Sequence, residues 1–353
     1  MQSDSRQILN SFRPKRIILP IAIGLIAASY LVIRDYNHEA FTNINWTWTS
    51  FFWIMMALLM MVIRDGAYMI RIRALTDEEI NWRQAFNVIM LWEFASALAP
   101  GMLGGGFVFA IFILNRERIN MGKSVTAILL SSFQDGVFLA IMAPFVYFVI
   151  GREMLFSTLK TGDGFYYTFW SVYFIILAYK VFVAYALFVN PKFIKRLLVI
   201  LFSVPILKRW KRNAIETGNQ LIIASNGLKN KKKKFWIQSF AGTFLSWTAR
   251  YSIVNCIILA FHNVPMDNFL VFARQVVMGI IILFSPTPGG SGIAEFIFKD
   301  FLSEFIPNGL AASLSFLWRF ISYYPYFLIG AIILPRWIRN HFKRDEALKM
   351  NSI

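Results

Sequence analysis

Apolar runs of about 20 residues recur along the whole chain, the length a helix needs to cross the ~30 Å hydrocarbon core of a bilayer. They fall at roughly 17–33, 49–70, 124–150, 165–189, 235–261 and 310–335. The 353 residues are 57% hydrophobic and 17% aromatic, with a mean hydropathy of +0.55, too apolar for a soluble domain. The expected fold is an all-α polytopic membrane protein. The first run, Ile17–Ile33, follows Arg6–Arg16 and imitates a secretory leader. Ala27-Ala28-Ser29 is a weak cleavage site and the run can span, so it reads as a retained first helix.

Two further apolar stretches are interrupted. The first, 86–114, contains Pro100-Gly101 and Gly104-Gly105-Gly106 near its middle. The second, 269–306, contains the string FSPTPGGSGIAEF from Phe284 to Phe296. Proline stops a helix and glycine lets the chain reverse. At membrane depth every backbone N–H and C=O needs a partner, so such breaks belong where protein or a polar cavity surrounds them. Each limb has about 13 residues, or ~20 Å of helix, too short to cross. The expectation is therefore about six full spans plus two re-entrant hairpins.

Lys and Arg number 36 against 19 Asp and Glu, a formal net charge of +17. The positives cluster in loops beside apolar spans, a membrane pattern rather than a nucleic-acid one. With six spans and two hairpins, every basic loop falls on one side. Both termini are then expected in the cytoplasm of a multi-pass protein of the cell inner membrane, and the hairpins enter from opposite faces. The basic loops are expected to meet anionic lipid, with Phe193–Val204 lying on the surface as an amphipathic helix.

A single transmembrane domain, 1–353, is expected in two halves, 1–189 and 235–353, on either side of a basic cytoplasmic segment, 190–234. Each half holds a Pro/Gly-broken hairpin followed by a helix with polar residues partway along it. LAPGMLGGG matches FSPTPGGSG, which suggests an inverted-topology repeat and points to a site near the bilayer midplane.

Candidate substrate-binding residues follow from that placement. Pro288, Gly289, Gly290, Ser291 and Gly292 form the second tip, and the helix starting there offers free N–H groups to a phosphate or carboxylate. Pro100 and Gly101 mark the first tip. Glu295 lies one turn into the second returning helix, where it caps that helix or pairs with Arg319 of the last span. The pair either holds the fold or receives an anionic headgroup. Asp135 with Gln134, and Glu93 in the first hairpin, either coordinate a proton or sodium or bond to hairpin N–H groups. Arg250 and Arg274 are further candidates for phosphate contact. Arg64-Asp65, near the end of the second run, reads as a snorkelling end pair.

Signals for enzyme chemistry fail. His38, His262 and His341 lie in loops or the tail. Gly122-Lys123-Ser124 resembles the end of a P-loop, but Glu117 stands where its first Gly is required, and no cluster has metal-ligand spacing. One cysteine, Cys256, excludes a disulfide framework. No cofactor and no metal are expected.

The string Ser285 to Glu295, with Arg319 in the final span, resembles the signature of the lysylphosphatidylglycerol synthase transmembrane family, close to P-T-P-G-G-x-G-x-x-E and a later Arg. Pro100-Gly101 through Gly105, the basic turn Arg116–Arg118 and a helix ending in Asp135 are similar to its first half. The resemblance covers nearly the whole chain. It implies a flippase-like membrane module handling phospholipids or polyprenyl-linked lipids, here expected to stand alone without the family's aminoacyltransferase domain. Gln134 stands where an Arg commonly precedes the Asp, and the Pro100 loop lacks its usual Arg or Glu, so the substrate stays open. The expected function is movement of a phospholipid or lipid-linked anionic substrate between leaflets. An integral-membrane enzyme acting on lipid-linked phosphate or sugar, and a membrane scaffold for soluble lipid-modifying enzymes, are the alternatives.

Overall fold

The computed structural model describes residues 46–98, 106–156, 163–203, 211–261, 266–287, 289–307 and 309–350. Ile17–Ile33 lies outside the described residues. Among those described, the regular structure is all helical. The long elements are α1 (Trp48–Leu75), α4 (Met121–Ile150), α6 (Gly164–Ala184, extended by a π turn to Val189) and α9 (Lys233–Phe261). Between and after them come α2 (Trp82–Leu98), α3 (Phe107–Arg116), α5 (Arg152–Phe156), α7 (Pro191–Leu201), α8 (Lys211–Leu228), α10 (Asn268–Leu283) and α11 (Ile293–Leu302). Helices α12 (Ala311–Ser322) and α13 (Tyr324–Met350) complete the chain.

Five described stretches are long and apolar enough to cross a membrane: α1, α4, α6 with its π turn, α9, and the run Ala311–His341 made by α12 and α13 together. The all-α polytopic expectation therefore holds. The last run is not one helix, however. It breaks at Tyr323, whose N–H still donates to the Arg319 carbonyl over 2.9 Å. Pro325 has no N–H to donate back to the preceding turn, and Tyr323 leaves the helical conformation with a φ of −131°, so the two pieces meet at a joint.

Local chemistry sets the helix starts. Thr47 and Ser50 form a capping box at α1. The Asp267 carboxylate accepts from the N–H groups of Phe269 and Leu270 at α10, at 2.9 and 3.0 Å. Asn81 and Gln84 cap each other reciprocally, each backbone N–H donating 2.9 Å to the other side chain, which starts α2 at Trp82, before Phe86.

The centre of the molecule is an antiparallel pair, α1 against α9. Trp46 meets Phe261 at one end with ring centroids 5.5 Å apart, and Arg71 reaches Thr243 toward the other. Gly242 permits the approach, since a Cβ there would stand 2.9 Å from the Ala67 carbonyl oxygen.

Both interrupted segments double back. Gln84 at the start of α2 donates to Glu117 just after α3 over 2.9 Å, and Gly106 lies against Ala95 and Ser96 at the far end. In the second, Arg274 of α10 donates to the Phe301 carbonyl at the end of α11 over 2.7 Å, while Gly290 faces Ile282. The limbs are not equal, as expected from sequence, but 17 and 10 residues in one segment and 16 and 10 in the other. In the second segment the incoming helix ends at Leu283, ahead of Pro286, and Gly289, Gly290 and Gly292 take positive φ in the reversal. The returning helices rise only ~15 Å.

The two segments open at opposite ends of the bundle. One end gathers the α1–α2 loop and the starts of α4 and α9, where Lys123 pairs with Asp77 and Glu79 at 2.6 Å each and Lys231 also pairs with Asp77. Gln220 of α8 accepts there from the Gly122 N–H, and Trp337 of α13 donates to Glu117 over 2.6 Å. The opposite end holds the Arg152–Asp163 pair and the contact of Arg274 with the Met154 carbonyl.

Candidate functional site

The far ends of the two broken segments meet at Tyr323, the joint of the last run. Its hydroxyl donates to the Ala97 carbonyl at the end of α2 over 2.8 Å. Its ring lies so close to Gly289 that a Cβ there would stand 2.2 Å from it, and Gly289 also has a φ of +55°. Only glycine serves at that position. Pro100, Gly101 and Pro288 lie outside the described residues.

Glu295 and Arg319 are both buried and joined over 3.0 Å. The other carboxylate oxygen of Glu295 accepts from the Gly292 N–H over 2.6 Å. The start of α11, expected to offer free donors, thus carries a carboxylate from its own first turn. Arg319 in turn donates to the Gly289 carbonyl over 2.7 Å and reaches the Ser291 hydroxyl at 3.5 Å. Its guanidinium rests 3.9 Å from the centroid of the Tyr323 ring. Gly289, Ser291, Gly292, Glu295 and Arg319 are therefore brought together, and Gly290 continues the same turn through the bond from Ala294 N–H to its carbonyl at 2.8 Å.

One turn before Ala97, Glu93 sits in a second cluster. Its carboxylate is 2.6 Å from the Arg64 guanidinium, which also pairs with Asp65 at 3.1 Å. Arg64 donates to the Tyr326 hydroxyl, which donates to Asp65 over 2.8 Å. Arg64 is 1% exposed, which corrects the snorkelling reading. Helix α1 runs on to Leu75, so position 64 lies well inside it, and Glu93 of α2 supplies a partner toward the interior. Intramembrane charges pair with one another where the protein allows it.

A third cluster lies two turns further along α1. Arg71 pairs with Asp135 at 2.5 Å and donates to Thr243 over 3.2 Å, while the Trp247 indole N–H donates to the same Asp135 oxygen over 2.7 Å. Gln134 faces α9 instead, donating to the Ser239 hydroxyl over 2.8 Å. Tyr68 lies between the two clusters, with Arg64 and Arg71 at 5.3 and 4.5 Å from its ring centroid. The result is a continuous polar strip along the inner face of α1.

The two remaining candidates differ from each other. Arg274 is held by the Met154 and Phe301 carbonyls and by Glu304 at 2.7 Å, near the mouth of the second broken segment and away from its tip. Arg250 is only half-buried. It lies over the Trp247 ring at 5.2 Å, within electrostatic reach of Asp65 and Glu93. Among the described residues its side chain makes no hydrogen bond or ion pair.

Sequence reasoning missed Tyr68, Arg71, Trp247, Tyr323 and Tyr326. For Arg71 the signal was available: Arg64, Tyr68 and Arg71 stand at i, i+4 and i+7, one face of a helix. For Tyr323 the signal was Pro325, read as part of one uninterrupted span. No group of three or more His, Cys, Asp or Glu side chains is placed to hold a metal among the described residues.

Comparison with known proteins shows the family. A family model described as the lysylphosphatidylglycerol synthase TM region matches residues 17–330. The chain is also similar to a UPF0104 membrane protein of Archaeoglobus fulgidus, 22% identical over 328 residues that cover 90% of this chain and 94% of that protein. The match runs through both broken segments, the Glu295–Arg319 pair and the inner strip of α1: the chain is a multi-pass membrane protein of the lysylphosphatidylglycerol synthase TM region family.

Proposed function

We propose that the chain is a transporter that moves a phospholipid or a lipid-linked anionic substrate between leaflets. The headgroup enters the interior beside the two tips, and the acyl chains stay in the bilayer. On this reading the broken segments are re-entrant hairpins of an inverted repeat, and access alternates as one half rocks against the other. The basic end faces the cytoplasm by the positive-inside rule, with both termini on that side of the cell inner membrane.

The observation that carries this reading is Arg250. An arginine inside a spanning helix, half-buried and without an ion-pair partner among the described residues, costs free energy unless it has a task. A guanidinium is suited to a phosphate, which it can bind through two parallel hydrogen bonds. Asp65 and Glu93 lie within electrostatic reach of it, while their own bonds go to Arg64 and Tyr326.

The test uses purified protein in proteoliposomes containing a phospholipid labelled on its headgroup. Loss of label from the inner leaflet, read by an impermeant quencher, reports transbilayer movement. Arg250→Gln is expected to slow that movement at least tenfold while the protein stays monodisperse with an unchanged melting temperature. Movement at the rate of the unaltered protein would remove Arg250 from the site.

A further inference from the structure

We infer that α7 is a docking helix for the anionic lipid leaflet at the basic end of the bundle. The inference rests on membrane residence, which the family match establishes, and not on the transport reading.

Helix α7 starts at Pro191, directly after the π turn that ends α6, and Pro191 is its only buried residue. One side packs on α8, where the Lys195 stem lies against Gly218. The other side presents Phe193, Leu197, Ile200 and Leu201, at i, i+4, i+7 and i+8, one stripe of a helix. Leu197, Ile200 and Leu201 are 42%, 61% and 55% exposed, although the helix already has a partner in α8. That leaves an apolar stripe which no described part of the chain covers.

Two observations identify what covers it. The first is continuity. The Phe193 ring meets Phe182 of α6 edge-on at 5.6 Å, next to Val181 and Val189, which are exposed on the outer wall of that spanning helix. The stripe of α7 thus prolongs a surface that faces acyl chains. The second is charge. Lys192 and Arg196 are exposed along one edge of the stripe, and α7 carries no acidic residue. An amphipathic helix with a cationic edge sits in the interface plane, its apolar face among acyl chains and its charges at headgroup phosphates. Basic residues beside a spanning helix select anionic lipid, each weakening the docked state about fivefold when removed. A soluble partner has no such continuity with the lipid wall.

Helix α8 links this surface to α4. It packs on α7 through Gly218 and on α4 through the Gln220–Gly122 bond, and α4 carries Gln134 and Asp135.

The test uses the full chain in lipid nanodiscs, with C256A removing the one native cysteine. Spin labels are placed at K192C, L197C and I200C, and at V181C as the lipid-facing reference. In discs of phosphatidylcholine with phosphatidylglycerol, labels at 197 and 200 are expected to collide with oxygen more than with a water-soluble nickel chelate, as at 181, and the label at 192 to do the reverse. In discs of phosphatidylcholine alone, or after K192Q with R196Q, nickel access at 197 and 200 should rise severalfold. Equal nickel access at 192, 197 and 200 in the anionic discs would overturn the inference. So would labels at 197 and 200 shielded from both reagents, the signature of a protein partner or a second copy. Depth independent of lipid charge would overturn its electrostatic half.

Discussion

Tyr323 donates a 2.8 Å hydrogen bond to the carbonyl of Ala97, and through it the end of one broken segment is fastened to the residue that packs on the tip of the other. A buried carbonyl left without a donor costs roughly 1–3 kcal/mol. Tyr323→Phe keeps the ring against Gly289 and Arg319 and removes the hydroxyl, with its bond to Ala97 and its contact with Ser291. Thermal unfolding in detergent should fall by a corresponding few degrees, and an unchanged melting curve would show that the tie is not made in solution.

Glu295 and Arg319 present a case where removing one partner differs sharply from removing both. Arg319→Ala strands a buried carboxylate and should destabilise by about 3–5 kcal/mol, whereas pairs replaced by apolar residues of similar volume are often neutral. Glu295→Met with Arg319→Met should therefore recover most of the loss in a double-mutant cycle. Lipid movement by the folded double variant then separates the pair's roles: normal rates mark a structural pair, and lost transport in a stable protein marks a ligand.

Gly289→Ala combines a left-handed backbone with a collision into the Tyr323 ring. The two penalties together should cost roughly 2–5 kcal/mol. Tyr323→Ala is itself destabilising, so the steric part should be read as the coupling between the two substitutions in a double-mutant cycle. A coupling as large as the whole Gly289→Ala loss would mean the backbone carries no strain.

The Asp77 clamp at the basic end gives a pH dependence. Burial pushes the Asp77 carboxyl up, but the Lys123 and Lys231 ammonium groups overcome this and hold it below its ordinary value of 3.8. A carboxyl lowered in the folded state contributes stability that is complete above the unfolded pKa and is lost as pH falls through the folded one. Stability should thus be flat in this respect above about pH 5 and decline below about pH 4. In Asp77→Asn that part of the acid decline should disappear, as measured by melting temperature against pH.

Most of the architecture could be read directly. The spans at 124–150, 165–189 and 235–261 are within a few residues of α4, α6 with its π turn, and α9, because uninterrupted apolar length determines what a bilayer accepts. The unreadable parts share a cause. Arg71 looked like a loop residue because a charge ends an apolar run, yet Asp135 and Thr243, distant in sequence, make it cheap to bury. The apolar window at 49–70 therefore closed one turn early. The positions of Glu93, Arg64 and Tyr326 show the same dependence on long-range partners. Glu295 with Arg319 was legible because the capping position and the single arginine of the last span constrain each other.

The α1–α9 seam has a consequence for how the molecule comes into being. Arg71 and Asp135 come from before residue 190, but Thr243 and Trp247, which complete their bonding, come from after 234. Arg64 and Asp65 likewise wait for Tyr326. Synthesis therefore leaves charged side chains in the first half incomplete until the second half has been inserted. The halves mature as complements, and severing the chain between them should yield fragments that are stable together and short-lived apart.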